Sequence, residues 1–133
     1  MVKKKNLVYV IDDDESIRRA FQLLLRSADF DVQAYSSAEE FLETASFGDG
    51  SCIILDMRMP GMTGLELQKE LASRKIRIPV IGISAYDDGP TRDLARASGA
   101  VAFFRKPVDD QALIDAIEWA MGEKREDRST VIK

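Results

Sequence analysis

Histidine is absent from all 133 residues. That removes imidazole acid–base catalysis, histidine metal sites and any part as a phosphohistidine carrier. Cysteine occurs once, as Cys52 in the apolar run CIIL. No internal disulfide can form, and a reducing compartment is the simplest reading. With no cation beside it in sequence, the thiol reads as buried and inert. No apolar stretch approaches the ~20 residues of a membrane helix, and no signal-peptide pattern opens the chain. The expected location is cytoplasmic, without membrane contact. Basic charge is also short: 19 Lys and Arg stand against 23 Asp and Glu, a net charge of −4. Broad nucleic-acid binding relies on cations that neutralise phosphates, so no direct nucleic-acid contact is expected. The one basic run, Lys3 to Lys5, reads as a solvated chain end. Repeats and low-complexity blocks are missing as well.

What remains is the pattern of one α/β domain. Five short apolar runs alternate with amphipathic segments. The runs are LVYVI (Leu7–Ile11), VQAY (Val32–Tyr35), CIIL (Cys52–Leu55), PVIGIS (Pro79–Ser84) and VAFF (Val101–Phe104). Three are nearly continuous in apolar residues, as strands buried on both faces should be. VQAY alternates, as an edge strand would. Between them, IRRAFQLLLRSA sets Ile17, Phe21, Leu24 and Leu25 on one helical face. Ser37 with Glu40, and Thr63 with Glu66, have the spacing of capping boxes. A fourth helix is expected after Pro90, ending at Gly99, and a fifth from the Asp109–Asp110 cap to Gly122. Residues 1–122 form the expected domain, with 123–133 a polar tail or linker stub. Alternating strands and helices imply a parallel sheet covered on both faces, whose strands share one C-terminal edge. Ligands bind at that edge in such sheets.

The residues that end the runs carry the chemistry. The first run stops at Asp12, Asp13 and Asp14, the third at Asp56, the fourth at Ser84, and the fifth at Arg105, Lys106 and Pro107. Helix capping accounts for one aspartate, not for a cluster. Two like charges ~4 Å apart cost about 4 kcal/mol at an effective dielectric of ~20. A site holding Asp12, Asp13 and Asp56 therefore needs positive charge. Lys106 supplies one unit, and a hard cation such as Mg²⁺ suits the remaining oxygen donors. Asp14 and Glu15 read instead as acids of the first helical turn. DMRMPGMTG after Leu55 reads as a constrained turn, with Met57, Met59 and Met62 shaping it. The bond from Lys106 to Pro107 invites a cis peptide. Trp119 reads as core or interface packing.

Together, DD after the first strand, LDMRMPGMTG after the third, Ser after the fourth and KP after the fifth resemble the receiver domain of bacterial response regulators. The likeness spans about Leu7 to Met121. SAEEFL with LDMRMPGMTG is most similar to receivers that precede a helix-turn-helix DNA-binding domain. The resemblance implies a flavodoxin-like sheet of strand order 2-1-3-4-5 with helices on both faces. It implies a signalling function in a two-component system or phosphorelay, in which a sensor histidine kinase or phosphotransfer protein phosphorylates Asp56. It further implies Mg²⁺ held by Asp12, Asp13, Asp56 and the carbonyl of Arg58, with Ser84 and Lys106 contacting the phosphoryl oxygens. Ser84 and Phe103 would form the switch, acting through the face made by the fourth helix, fifth strand and fifth helix. A phosphorylation-dependent homodimer through that face is a further expectation. Such a domain catalyses its own phosphorylation and dephosphorylation but is not otherwise an enzyme. Two departures stand out: Val108 follows Lys-Pro where Phe is common, and Ser84 stands where Thr is commoner. Arg58 and Tyr86 flank the site.

Two rival readings exist. A haloacid-dehalogenase-like phosphohydrolase also carries an aspartate nucleophile with a second aspartate two residues on, as Asp12 and Asp14 do, with Ser16 near the hydroxyl position. It has no use for Asp56 and needs a cap domain. A degenerate receiver acting only as a binding module would not retain the full set of site residues.

Overall fold

The computed structural model describes residues 6–47, 51–85 and 89–125, with side chains to Gly122. Its elements alternate strictly: β1 (Leu7–Ile11), α1 (Glu15–Ser27), β2 (Asp31–Tyr35), α2 (Ala38–Thr44), β3 (Ser51–Asp56), α3 (Gly64–Ser73), β4 (Val80–Ser84), α4 (Gly89–Ala97), β5 (Ala100–Arg105) and α5 (Asp110–Arg125). All strand pairings are parallel, and the sheet order is β2-β1-β3-β4-β5.

The apolar runs become the central strands for a simple reason. Parallel strands covered on both faces have no solvated side, so both sets of alternating side chains must be apolar. Every residue of β3 and β4 is buried, as are Val8 to Ile11 of β1. VQAY lies in β2 at one edge, with Asp31 and Gln33 exposed. β5, at the other edge, is only partly covered. One face of the sheet packs Val8, Val10, Ile54 and Ile83 against Phe21 and Leu25 of α1 and Leu113 and Ile117 of α5. The opposite face packs Tyr9, Ile53 and Leu55 with Phe41 of α2, Leu67 of α3 and Ala95 of α4. Cys52 is fully buried, and burial pushes its thiol up to about 12, so it is inert as expected.

Helix ends follow local chemistry, with differences from the sequence pattern in α2, in α5 and in α4, which begins at Gly89, ahead of Pro90, because proline is accepted in the first turn of a helix. Thr63 and Glu66 form the full reciprocal box of α3. Ser37 caps α2 by accepting from Glu40 N, but Glu40 Oε1 accepts from Ser36 N and Ser36 Oγ, so the second half of that box belongs to Ser36. α5 continues through Gly122 to Arg125, because glycine weakens a helix by only about 1 kcal/mol and need not end it. Trp119 is 56% exposed and is not core. Met57 and Met59 do more than shape a turn, since both are buried in the cluster under α2 and α3. Tyr86 and residues 126–133 lie outside the described residues.

Candidate functional site

Three backbone hydrogen bonds extend the strand ladders past their last residues and align the site. Asp12 N donates to Tyr35 O at 3.1 Å, Met57 N to Ile83 O at 2.9 Å, and Lys106 N to Ser84 O at 2.8 Å. The ends of β1, β3, β4 and β5 are thereby held at one edge. Asp12, Asp56 and Ser84 are buried there, while Asp13 is exposed. Carboxylate oxygens of Asp12, Asp13 and Asp56 lie within 4.8 Å of one another. Lys106 Nζ stands 2.9 Å from Asp12 Oδ2 and 3.5 Å from Asp56 Oδ2. The peptide bond from Lys106 to Pro107 is cis.

Each acid has its own support. Asp12 Oδ1 accepts from Asp14 N at 2.9 Å. Asp14 caps α1, accepting from Ser16 N and Ile17 N. Its carboxylate is therefore committed to the helix, which settles why three acids stand in a row: one caps and two face the cluster. Glu15 pairs with Arg19 on the exposed surface of α1. Asp56 Oδ1 accepts from Arg58 N at 3.1 Å. Gly64 is required for this turn, because a Cβ there would sit 2.6 Å from the Asp56 carbonyl oxygen. The β3–α3 loop is thus folded tightly back against the end of β3.

Burial dominates the electrostatics. It raises the Asp56 carboxyl to about 6 from an ordinary 3.8; the Arg58 amide works against the rise, Asp12 and Asp13 add to it, and Lys106 opposes it. Burial would lower the Lys106 ammonium, but its hydrogen bond to Asp12 and the charges of Asp56 and Asp12 outweigh that and hold it above its usual value. Three carboxylates against one ammonium leave a deficit of positive charge. At a separation of 4.8 Å, each carboxylate pair costs about 3–4 kcal/mol at an effective dielectric of ~20. The donors are all hard oxygens. Mg²⁺ prefers such donors, and its two positive charges would offset the excess of carboxylates, so the residues fit the ion.

Phe103 on β5 is half-buried and packs in the cluster with Met57; a Cβ on Gly82 would meet its ring at 3.0 Å. Val108 packs against the opposite core, beneath α5. Two supporting residues escaped the sequence reading. Arg18 Nη1 donates to the Asp12 carbonyl at 2.8 Å, pinning the β1–α1 loop. Glu39 Oε2 accepts from Met62 N at 2.9 Å and so ties α2 to the β3–α3 loop. Arg18 lies one turn beyond the acids and offered a weak signal; Glu39 offered none.

The profile of the response regulator receiver domain matches residues 8–118. The chain belongs to that family. It is 42% identical over 124 residues to nodulation protein W of Bradyrhizobium diazoefficiens, covering 93% of this chain and 55% of that protein. It is 40% identical over 119 residues to the transcriptional regulatory protein FixJ of Azorhizobium caulinodans, covering 90% of this chain and 56% of the relative. The chain thus spans about half the length of the curated relatives it matches. Among solved structures, the response regulator StyR superposes with a TM-score of 0.86 at 42% identity, covering 96% of this chain and 64% of that one. The crystal structure of FixJ-N gives 0.83 at 37%, covering 90% and 96%. This receiver is a signalling domain of the two-component type, and receivers of this family are phosphorylated by histidine kinases. The dehalogenase-like reading is set aside by the family match and by Asp14, whose carboxylate caps α1. No helix among the described residues is long and apolar enough to cross a membrane.

Proposed function

We propose that this receiver takes a phosphoryl group from the phosphohistidine of a cytoplasmic sensor kinase or phosphotransfer protein onto Asp56. The observation that carries the reading is the convergence of Asp12, Asp13, Asp56 and Lys106 at one sheet edge, with the ammonium 3.5 Å from Asp56 Oδ2. Asp12, Asp13, Asp56 and the Arg58 carbonyl would hold Mg²⁺, which supplies neutralisation of the charge on the transferring group. One Asp56 oxygen attacks phosphorus as the bond to the histidine nitrogen breaks, and the histidine leaves as neutral imidazole after proton uptake. Lys106 and the Ser84 hydroxyl take up the phosphoryl oxygens, so the protein's share is positioning and electrostatics. Attack of water on the acyl phosphate in the same site returns Asp56 and releases phosphate, the domain's own dephosphorylation.

A phosphoryl group bound to Ser84 and Lys106 makes contacts that the unmodified state lacks, and this difference biases the conformation. Phe103, beside Gly82 on the neighbouring strand, would turn inward as Ser84 shifts. Leu94 of α4, Val101 of β5 and Trp119 of α5 are large exposed apolar residues on the output side. They favour a homodimer formed through that face on phosphorylation. Residues 1–122 would serve as the receiver part of a transcription regulator, like the relatives above, with 123–133 leading onward and DNA contact left to another domain.

Phosphoramidate with Mg²⁺ tests the reading. The native chain should gain one acid-stable, base-labile phosphoryl group at Asp56, and Asp56→Asn should gain none. Label on Asp12, or undiminished labelling of the variant, refutes it. An unchanged molar mass of the phosphorylated chain by light scattering refutes the dimer.

A further inference from the structure

We propose that the cavity between the C-terminal ends of α3 and α4 binds a small amphipathic anion that carries a hydrogen-bond donor at its apolar end. This cavity opens at the edge of the sheet opposite the carboxylates, where β4 begins at Val80 and β5 follows Gly99. Its volume is about 300 Å³, at the lower end of the range for small-molecule sites.

Its chemistry is graded. Leu71, Ile76 and Ile78 supply apolar wall, and Lys75 and Arg77 stand exposed at the lip. No acidic residue lines it among the described residues, and the Lys75 ammonium at the lip favours negative charge. At the inner end Gln68 is 3% exposed. Its Nε2 donates to the Ala95 carbonyl of α4 at 3.0 Å, while its Oε1 has no hydrogen-bond partner. Buried carboxamide oxygens are nearly always satisfied. The oxygen is closed over here, but the terminal torsion of glutamine is broad, and a tilt of the carboxamide turns it to an N–H or O–H inside the cavity that Gln68 walls.

The lip carries a second mark. Lys75 holds a left-handed backbone, φ +61°, at the position after the C-cap where glycine is the usual residue. Lys75 N donates to Ala72 O and Ile76 N to Leu71 O, so the turn is well formed despite the side chain. Because Gln68 also holds the Ala95 carbonyl, a ligand that engages it acts on the tie between α3 and α4.

Titration of the isotope-labelled, unphosphorylated chain with 4-hydroxybenzoate, followed by amide NMR, tests this independently of Asp56. Saturable shifts should centre on Leu71, Ile76, Ser98, Gly99 and the Gln68 carboxamide. A probe of about ten heavy atoms at ordinary ligand efficiency has a Kd of about a millimolar. Benzoate, which lacks the donor, and 4-hydroxybenzyl alcohol, which lacks the anion, should each bind about tenfold more weakly. Lys75→Asn should erase the advantage of the carboxylate; asparagine tolerates the left-handed backbone, and the spectrum itself reports the fold. Absence of saturable shifts up to about 20 mM, shifts confined to another surface, or equal binding of benzoate overturns the proposal.

Discussion

Asp56→Asn should make the metal-free protein more stable, and the gain should depend on pH. In the folded chain the Asp56 carboxyl titrates at about 6, against an ordinary 3.8, chiefly because it is buried. A carboxyl with a raised folded value binds its proton more tightly when folded. Stability is therefore highest below the ordinary value and is lost as pH rises from about 4 through about 6. Above that window the charged Asp56 costs the fold the whole difference. The separation is about two pH units, and each unit is worth about 1.4 kcal/mol, so the cost is about 3 kcal/mol at neutral pH. Asparagine keeps an acceptor for the Arg58 amide and removes the charge, while Lys106 retains Asp12 at 2.9 Å. Its new amide protons face the Lys106 ammonium, which lowers the expected gain to about 2 kcal/mol. Urea unfolding of both proteins in chelator at pH 7.5 and pH 4.5 measures this. The variant should lead by about 2 kcal/mol at the higher pH and by little or nothing at the lower. Mg²⁺ should then stabilise the native chain more than the variant, since the ion has lost one anionic ligand. Equal stability at pH 7.5, or a lead that persists unchanged at pH 4.5, refutes the claim that a buried, uncompensated carboxylate defines this site.

Lys106→Met should destabilise the metal-free fold by about 3 kcal/mol, because it leaves Asp12 and Asp56 buried without their cation; unfolding with and without Mg²⁺ should show the ion recovering part of the loss. Gly64→Ala should cost at least about 2 kcal/mol, since its Cβ would meet the Asp56 carbonyl oxygen at 2.6 Å and the Met57 Cα at 2.8 Å, and denaturant midpoints would expose a harmless substitution. Asp14→Ala should cost about 1 kcal/mol through loss of the α1 cap, whereas Mg²⁺ affinity by calorimetry should change little; a large loss of affinity would make Asp14 a ligand.

Much of this protein was legible in the order of its residues. Continuous apolar runs must be covered on both faces, and runs of four to six residues between helical patterns are too short for buried helices, so β1, β3 and β4 were marked by the sequence, and VQAY was marked as an edge by its alternation. Parallel pairing then leaves one shared C-terminal edge, and for that reason Asp12, Asp13, Asp56, Ser84 and Lys106 could be grouped though they span most of the chain. Local rules also chose Thr63 as a cap and Glu15 as a first-turn acid, whereas Asp14, read as a second first-turn acid, is the N-cap of α1. Other facts lay beyond any local pattern. Ser36, not Ser37, completes the box with Glu40, because side-chain reach depends on the approach of the preceding loop. α5 passes through Gly122, since packing of Leu113, Ile117 and Met121 outweighs one weak residue. Glu39 finds the Met62 amide 23 residues away, and Gln68 finds the Ala95 carbonyl 27 away. Which acids gather at the edge is written in residue type and strand periodicity. How far Asp56 is dehydrated, how close Lys106 comes and what braces the loops around them depend on distances between segments remote in sequence, and only the packed molecule sets those.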